Sequence, residues 1–257
     1  MRKSAITVTV TTLVLGVFGA FLRWLQNTSA YEAETGCIVP FHGTTIVLVI
    51  YCVFAVAAIL AINLLWLRRY TGAADIAALH GATGLPAALS WVFGVAFVLC
   101  ACVLMFSAAH GRYSLVQRLL GAFGILAGLS FPFLPGKQDG SSRALGRAAA
   151  MTVTLFCCYW LVCCWRDHSA NPVIWSFVME VLAVAATTVA FYYIAAFHYG
   201  AGRGNRALPV VQLAVLFDLV TLFDKRSTVR GLMFLLCIGM LLLFEVLLVE
   251  NLREKQY

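Results

Sequence analysis

Eight long apolar runs constrain this chain more than any other feature. They cover Ser4–Leu22, Thr44–Leu67, Pro86–Ala109, Leu115–Leu134, Gly146–Trp165, Val173–Phe197, Ala207–Phe223 and Val229–Val249. A helix needs about 20 apolar residues to cross the hydrocarbon core of a bilayer. Most of the runs meet that length and keep acids and bases to their ends. The expected fold is all-α, a polytopic transmembrane bundle of about eight spans. Only 11% of the residues are charged, against about 25% in a soluble domain. Eight spans use most of the 257 residues and leave only short connections. The lipid bilayer is thus the first partner. The net charge of +7 reads as Lys and Arg fixing helix ends, not as a nucleic-acid footprint.

Charge also sets an expected orientation. With the N-terminus inside, 11 of the 18 Lys and Arg fall on the inner side and 7 on the outer. This bias favours both termini in the cytoplasm. Asp224-Lys225-Arg226 fits poorly, because this arrangement places it outside. A re-entrant Ala207–Phe223 would instead reverse the last span. The first run follows Arg2 and Lys3 as a signal peptide would. Its length, and Arg23-Trp24 at its end, favour an uncleaved helix.

The most polar, turn-rich stretch, residues 135–145, separates four spans from four. The chain therefore divides into a first half (1–134), a cytoplasmic linker (135–145) and a second half (146–257). Arg23-Trp24 and Trp165-Arg166 end the first span of each half alike. A four-plus-four layout is one that some transporters use.

The loop Gln26–Gly43 carries Glu32, Glu34, Cys37 and His42. Arg23 lies just before it, and its pairing with Glu32 or Glu34 would fold the loop onto the bundle. The run Gly19-Ala20-Phe21-Leu22-Arg23-Trp24-Leu25-Gln26, with Tyr31-Glu32 and Thr35-Gly36, resembles a family of uncharacterised bacterial integral membrane proteins. Phe191-Tyr192-Tyr193-Ile194-Ala195-Ala196-Phe197 with Gly200 is similar to a second motif of that family. The resemblance implies a multi-pass protein of the bacterial plasma membrane and no particular activity.

Ionisable groups inside the runs are the strongest functional pointers, because a charge in hydrocarbon costs a few kcal/mol or more. Glu180 lies about eight residues into the sixth run and Asp218 about a dozen into the seventh. With Arg23 and Arg118 they form a candidate intramembrane polar site, with Arg23, Arg118 and Glu180 in the outer half of the bilayer and Asp218 near or just beyond its midplane. Glu245 lies nearer the inner face and is expected to stay apart. Against this stands a structural role for each: snorkelling for the arginines, helix-locking pairs for the acids. Glu32 and Glu34 form a second candidate site in the outer loop.

Other motifs carry less. Cys157, Cys158, Cys163 and Cys164 share one helix, which cannot wrap four thiols tetrahedrally around zinc; they read as packing residues. No HExxH, GxSxG or phosphate-binding loop occurs, and no residue pattern calls for a cofactor, a metal or a catalytic centre. Small-residue faces, Gly124 with Gly128, Ser90 with Gly94 and Gly16 with Ala20, suit close helix packing within the chain, with a membrane partner or with a second copy. Three function classes follow: a small-molecule or ion transporter or its membrane subunit; a non-catalytic assembly or partner-binding protein; and a membrane enzyme acting on lipids, using Arg23, Glu32, Glu34 and Asp167-His168.

Overall fold

The computed structural model describes residues 3–32, 38–39, 41–67, 70–71, 79, 84–107, 114–135, 141–169, 173, 175, 177–224, 226–251 and 253–254. It is an all-helical bundle of eight long helices: α1 Lys3–Ser29, α2 Gly43–Leu67, α3 Leu85–Ser107, α4 Ser114–Ser130, α5 Ser141–His168, α6 Val178–His198, α7 Gly204–Thr221 and α8 Thr228–Glu250. Seven are long and apolar enough to cross a membrane; α7 is the exception. The protein is a multi-pass membrane protein. Its outward surface carries dozens of exposed large apolar side chains, such as Phe54, Leu65, Val92 and Leu155. Such a surface is stable against lipid and not against water.

The helices overrun the apolar runs where polar residues follow. Helix α1 continues seven residues beyond Leu22 to Ser29, because Trp24-Leu25-Gln26-Asn27 offers no helix breaker. Helix α4 stops at Ser130 and tightens into a 3₁₀ turn, Phe131–Phe133. Pro132 has no N–H to give to the α-helical ladder. Helix α6 begins at Val178, five residues after the start of its apolar run. Glu180 therefore lies in the first turn of α6, not eight residues deep.

Helix α7 lies at the centre. It packs against α1, α2, α6 and α8, and every residue from Ala214 to Thr221 is buried. This enclosure explains its modest apolarity. A helix surrounded by protein can carry Gln212 and Asp218 if neighbours satisfy them. Elsewhere, α3 and α4 cross closely: a Cβ added at Gly94 would stand 2.7 Å from the Gly128 carbonyl oxygen, and one added at Gly128 would stand 2.8 Å from Val98. Gly16 likewise faces Leu219 of α7. The chain's own helices fill these small-residue faces.

The face where α1 ends is here called upper, the opposite face lower. At the lower face a two-residue antiparallel ladder joins β1, Tyr70–Thr71, to β2, Arg253–Glu254. The ends of α2 and α8 thus share a face. A re-entrant α7 would have sent the end of α8 to the other face. Instead α7 runs from the lower end of α6 up to the end of α1, where Thr221 and Asp224 meet the Arg23 cluster.

Candidate functional site: buried carboxyl groups at three depths

The upper end of the bundle holds a buried charge cluster. Arg23 is 1% exposed. Its Nε donates to Asp224 Oδ1 at 2.5 Å, its Nη1 to Gln26 Oε1 at 2.5 Å and its Nη2 to the Trp175 carbonyl at 3.0 Å. Asp224 also accepts from Thr221 Oγ1 at 2.7 Å and from Arg226 Nη2 at 3.2 Å. Arg226 Nη2 donates to the Thr221 carbonyl as well, and its guanidinium lies 4.5 Å from the Phe234 ring centroid. Among the described residues, the acid that Arg23 meets is Asp224, from the turn after α7. Glu34 and Cys37 lie outside the described residues; Glu32 is exposed. Sequence spacing favoured the near acids, but the arginine sits on the inward face of α1 and sees α7.

Glu180 is held more loosely. His168 Nε2 is 3.5 Å from its Oε2, Arg226 Nη1 is 3.9 Å from Oε1, and Cys164 Sγ is 3.8 Å from Oε1. The ion-pair contacts exceed hydrogen-bond length. His168 Nε2, Arg226 Nε and Arg226 Nη1 are buried without a hydrogen-bond partner among the described residues. Beside them Arg230 closes on Asp167 at 2.6 Å, joining α8 to α5. Arg118 is exposed on α4, which packs on α3 and α5. It does not join Glu180 or Asp218, because α4 has no packing face on α6 or α7.

Asp218 lies lower, at mid-depth. Its two oxygens are 2.9 and 2.8 Å from Thr187 Oγ1. Thr187 is the tenth residue of the 21-residue α6, so the pair sits near the middle of that helix. No basic group lies within ion-pair distance of Asp218 among the described residues.

A third acid completes the set. Glu245 of α8 is 0% exposed. Its Oε1 accepts from Thr12 Oγ1 at 2.9 Å and Gln212 Nε2 at 3.0 Å. Gln212 in turn accepts from Asn63 Nδ2 at 2.5 Å. Helices α1, α2, α7 and α8 thus converge on Glu245. Sequence reading set Glu245 apart from the polar groups and passed over Thr12, Asn63 and Gln212. The available signal was a neutral polar residue inside an otherwise apolar run, which is weak because amides and hydroxyls are tolerated in membrane helices when they find a partner.

At 1.5 Å per residue, Glu180 stands about 10 Å above Thr187 along α6, and Asp218 about 9 Å above Gln212 along α7. Glu180, Asp218 and Glu245 therefore mark three levels over about 20 Å of a core that is about 30 Å thick. Cys157, Cys163 and Cys164 are buried packing residues, while Cys158 is exposed. Comparison with known proteins gives no further lead: no family model, no curated protein and no solved structure matches the chain.

Proposed function

We propose that this protein is a transporter, or the membrane subunit of one, whose translocation route follows α7. One observation carries the reading: the most enclosed helix of the bundle bears Gln212 and Asp218 at successive depths, Gln212 facing Glu245 of α8 and Asp218 facing Thr187 of α6, with Thr221 at its upper end donating to Asp224 in the turn that follows. Buried ion pairs often stabilise a fold no better than apolar side chains of the same volume, so stability alone does not account for three buried acids. The assembly reading loses support, because the small-residue faces are filled from within. The enzyme reading loses support as well: Arg23 and Asp167 are committed to Asp224 and Arg230. In this reading the lower face, with both termini, is cytoplasmic, and the upper charge cluster closes the outer end of the route.

The test is Asp218→Asn and Glu245→Gln in proteoliposomes, assayed for solute-driven currents over panels of amino acids, sugars and inorganic ions. Lost currents with retained thermal stability support transport. Lost stability alone, with no current from wild type under any condition, assigns the acids to packing and refutes the reading.

A further inference from the structure

We infer that the ion moved along this route is the proton, handed between Glu180, Asp218 and Glu245; the inference rests on the transport reading above. Hydrogen counting is the first argument. The Thr187 hydroxyl has one hydrogen but lies at 2.9 and 2.8 Å from both Asp218 oxygens. The Thr12 hydroxyl likewise faces two acceptors, Glu245 Oε1 at 2.9 Å and the Val8 carbonyl at 3.2 Å. Each hydroxyl can donate once. A proton on the carboxyl group turns the surplus contact into a second hydrogen bond, with the acid donating to the hydroxyl oxygen. Glu245 Oε2 is buried with no partner among the described residues, the position at which a second proton-binding atom stands open.

The second argument is the nature of the donors. A sodium or other hard cation needs several oxygen lone pairs converging on one point, often from unwound backbone. Here α6, α7 and α8 are continuous. The acids face hydrogen donors instead: Gln212 Nε2 at Glu245, the Arg226 guanidinium at Glu180. Such donors repel a metal cation and accept a carboxylate that gains and loses hydrogen. The groups around each acid are consistent with this. Glu180 faces Cys164 and His168 of α5, with Arg226 and Arg230 on the α8 side. Asp218 faces Thr187, Cys157 and Cys237, with Arg226 above it. Glu245 faces Thr12 and Gln212.

The transfer balances simply. Glu180 takes one proton from the upper side. Asp218 receives it and passes it towards Glu245, which releases it below, and each carboxyl group returns to its starting state. The steps of about 10 Å exceed one hydrogen bond, so the transfer requires water to enter between the levels during the cycle.

Two measurements test this. The first is the pH-difference infrared spectrum of the lipid-embedded protein, read at the carboxylic-acid C=O band. It reports protonation whether or not a co-transported solute is present. Glu180→Gln, Asp218→Asn and Glu245→Gln should each remove part of the band; Gln212→Leu, which keeps all three acids, should shift the Glu245 part. A spectrum unchanged in all three acid variants overturns the inference. The second is acidification of dye-loaded vesicles under an inside-negative potential, in the presence of any solute found to move. Wild type should acidify without sodium, and Asp218→Asn should fall to the rate of empty vesicles. Solute currents that need sodium and carry no proton overturn the proton assignment while leaving the transport reading intact. Absence of any current in wild type removes the transport reading itself.

Discussion

The Arg23–Asp224 pair gives the sharpest stability prediction. Both side chains are nearly sealed, 1% and 3% exposed. The range for exposed pairs, about 0–1 kcal/mol, therefore does not apply. Removing one partner of a buried pair costs about 3–5 kcal/mol, because the other charge stays behind. Arg23→Met leaves Asp224 with Arg226 and Thr221 still in place, so its cost should sit near the lower end, about 3 kcal/mol. Asp224→Asn strips the shared counter-charge from two guanidiniums at once. Arg226 then keeps Glu180 at 3.9 Å as its one acid among the described residues, and the cost should approach about 5 kcal/mol. In the double variant one orphaned arginine is gone, so the losses should fall short of additive by about 1–3 kcal/mol. The assay is reversible unfolding in mixed micelles, followed by tryptophan fluorescence, over the full mutant cycle. Additivity within about 0.5 kcal/mol, the behaviour of independent sites, would refute the account of Asp224 as the shared anion.

Three further outcomes are expected. Gly128→Val should destabilise by about 1–3 kcal/mol, since its Cβ meets the backbone of Val98 and Gly94 at 2.9 Å; Gly231→Ala, with nothing within 4 Å, should fall within about 0.5 kcal/mol of wild type. Glu245→Leu should cost about 1–3 kcal/mol by leaving Gln212 Nε2 without its acceptor, whereas Glu245→Gln, which keeps an acceptor oxygen, should unfold at a higher denaturant concentration than Glu245→Leu. Cysteines introduced at Thr71 and Glu254 should label from the same side of sealed cells, as their strand pairing requires; labelling from opposite sides would break the eight-helix crossing pattern.

Arg226 and Arg230 are not free positive charges at a membrane surface. They pair with Asp224, Glu180 and Asp167.

Local sequence determined the class of this protein, because the length and apolarity of a run decide by themselves whether a helix can sit in hydrocarbon. It also marked Glu180, Asp218 and Arg23, since an ionisable residue in an apolar run is conspicuous whatever surrounds it. Tertiary structure decided the rest. Helix α7 is the centre of the bundle despite being its least membrane-like helix, and only the packing of α1, α2, α6 and α8 around it makes that affordable. Arg23 meets an acid 201 positions away, because the direction of a side chain around a helix axis decides which distant segment it can reach. Glu245 joins Thr12, Gln212 and Asn63 for the same reason: hydrogen bonds between helices depend on which faces meet, and four separate apolar runs carry no record of that.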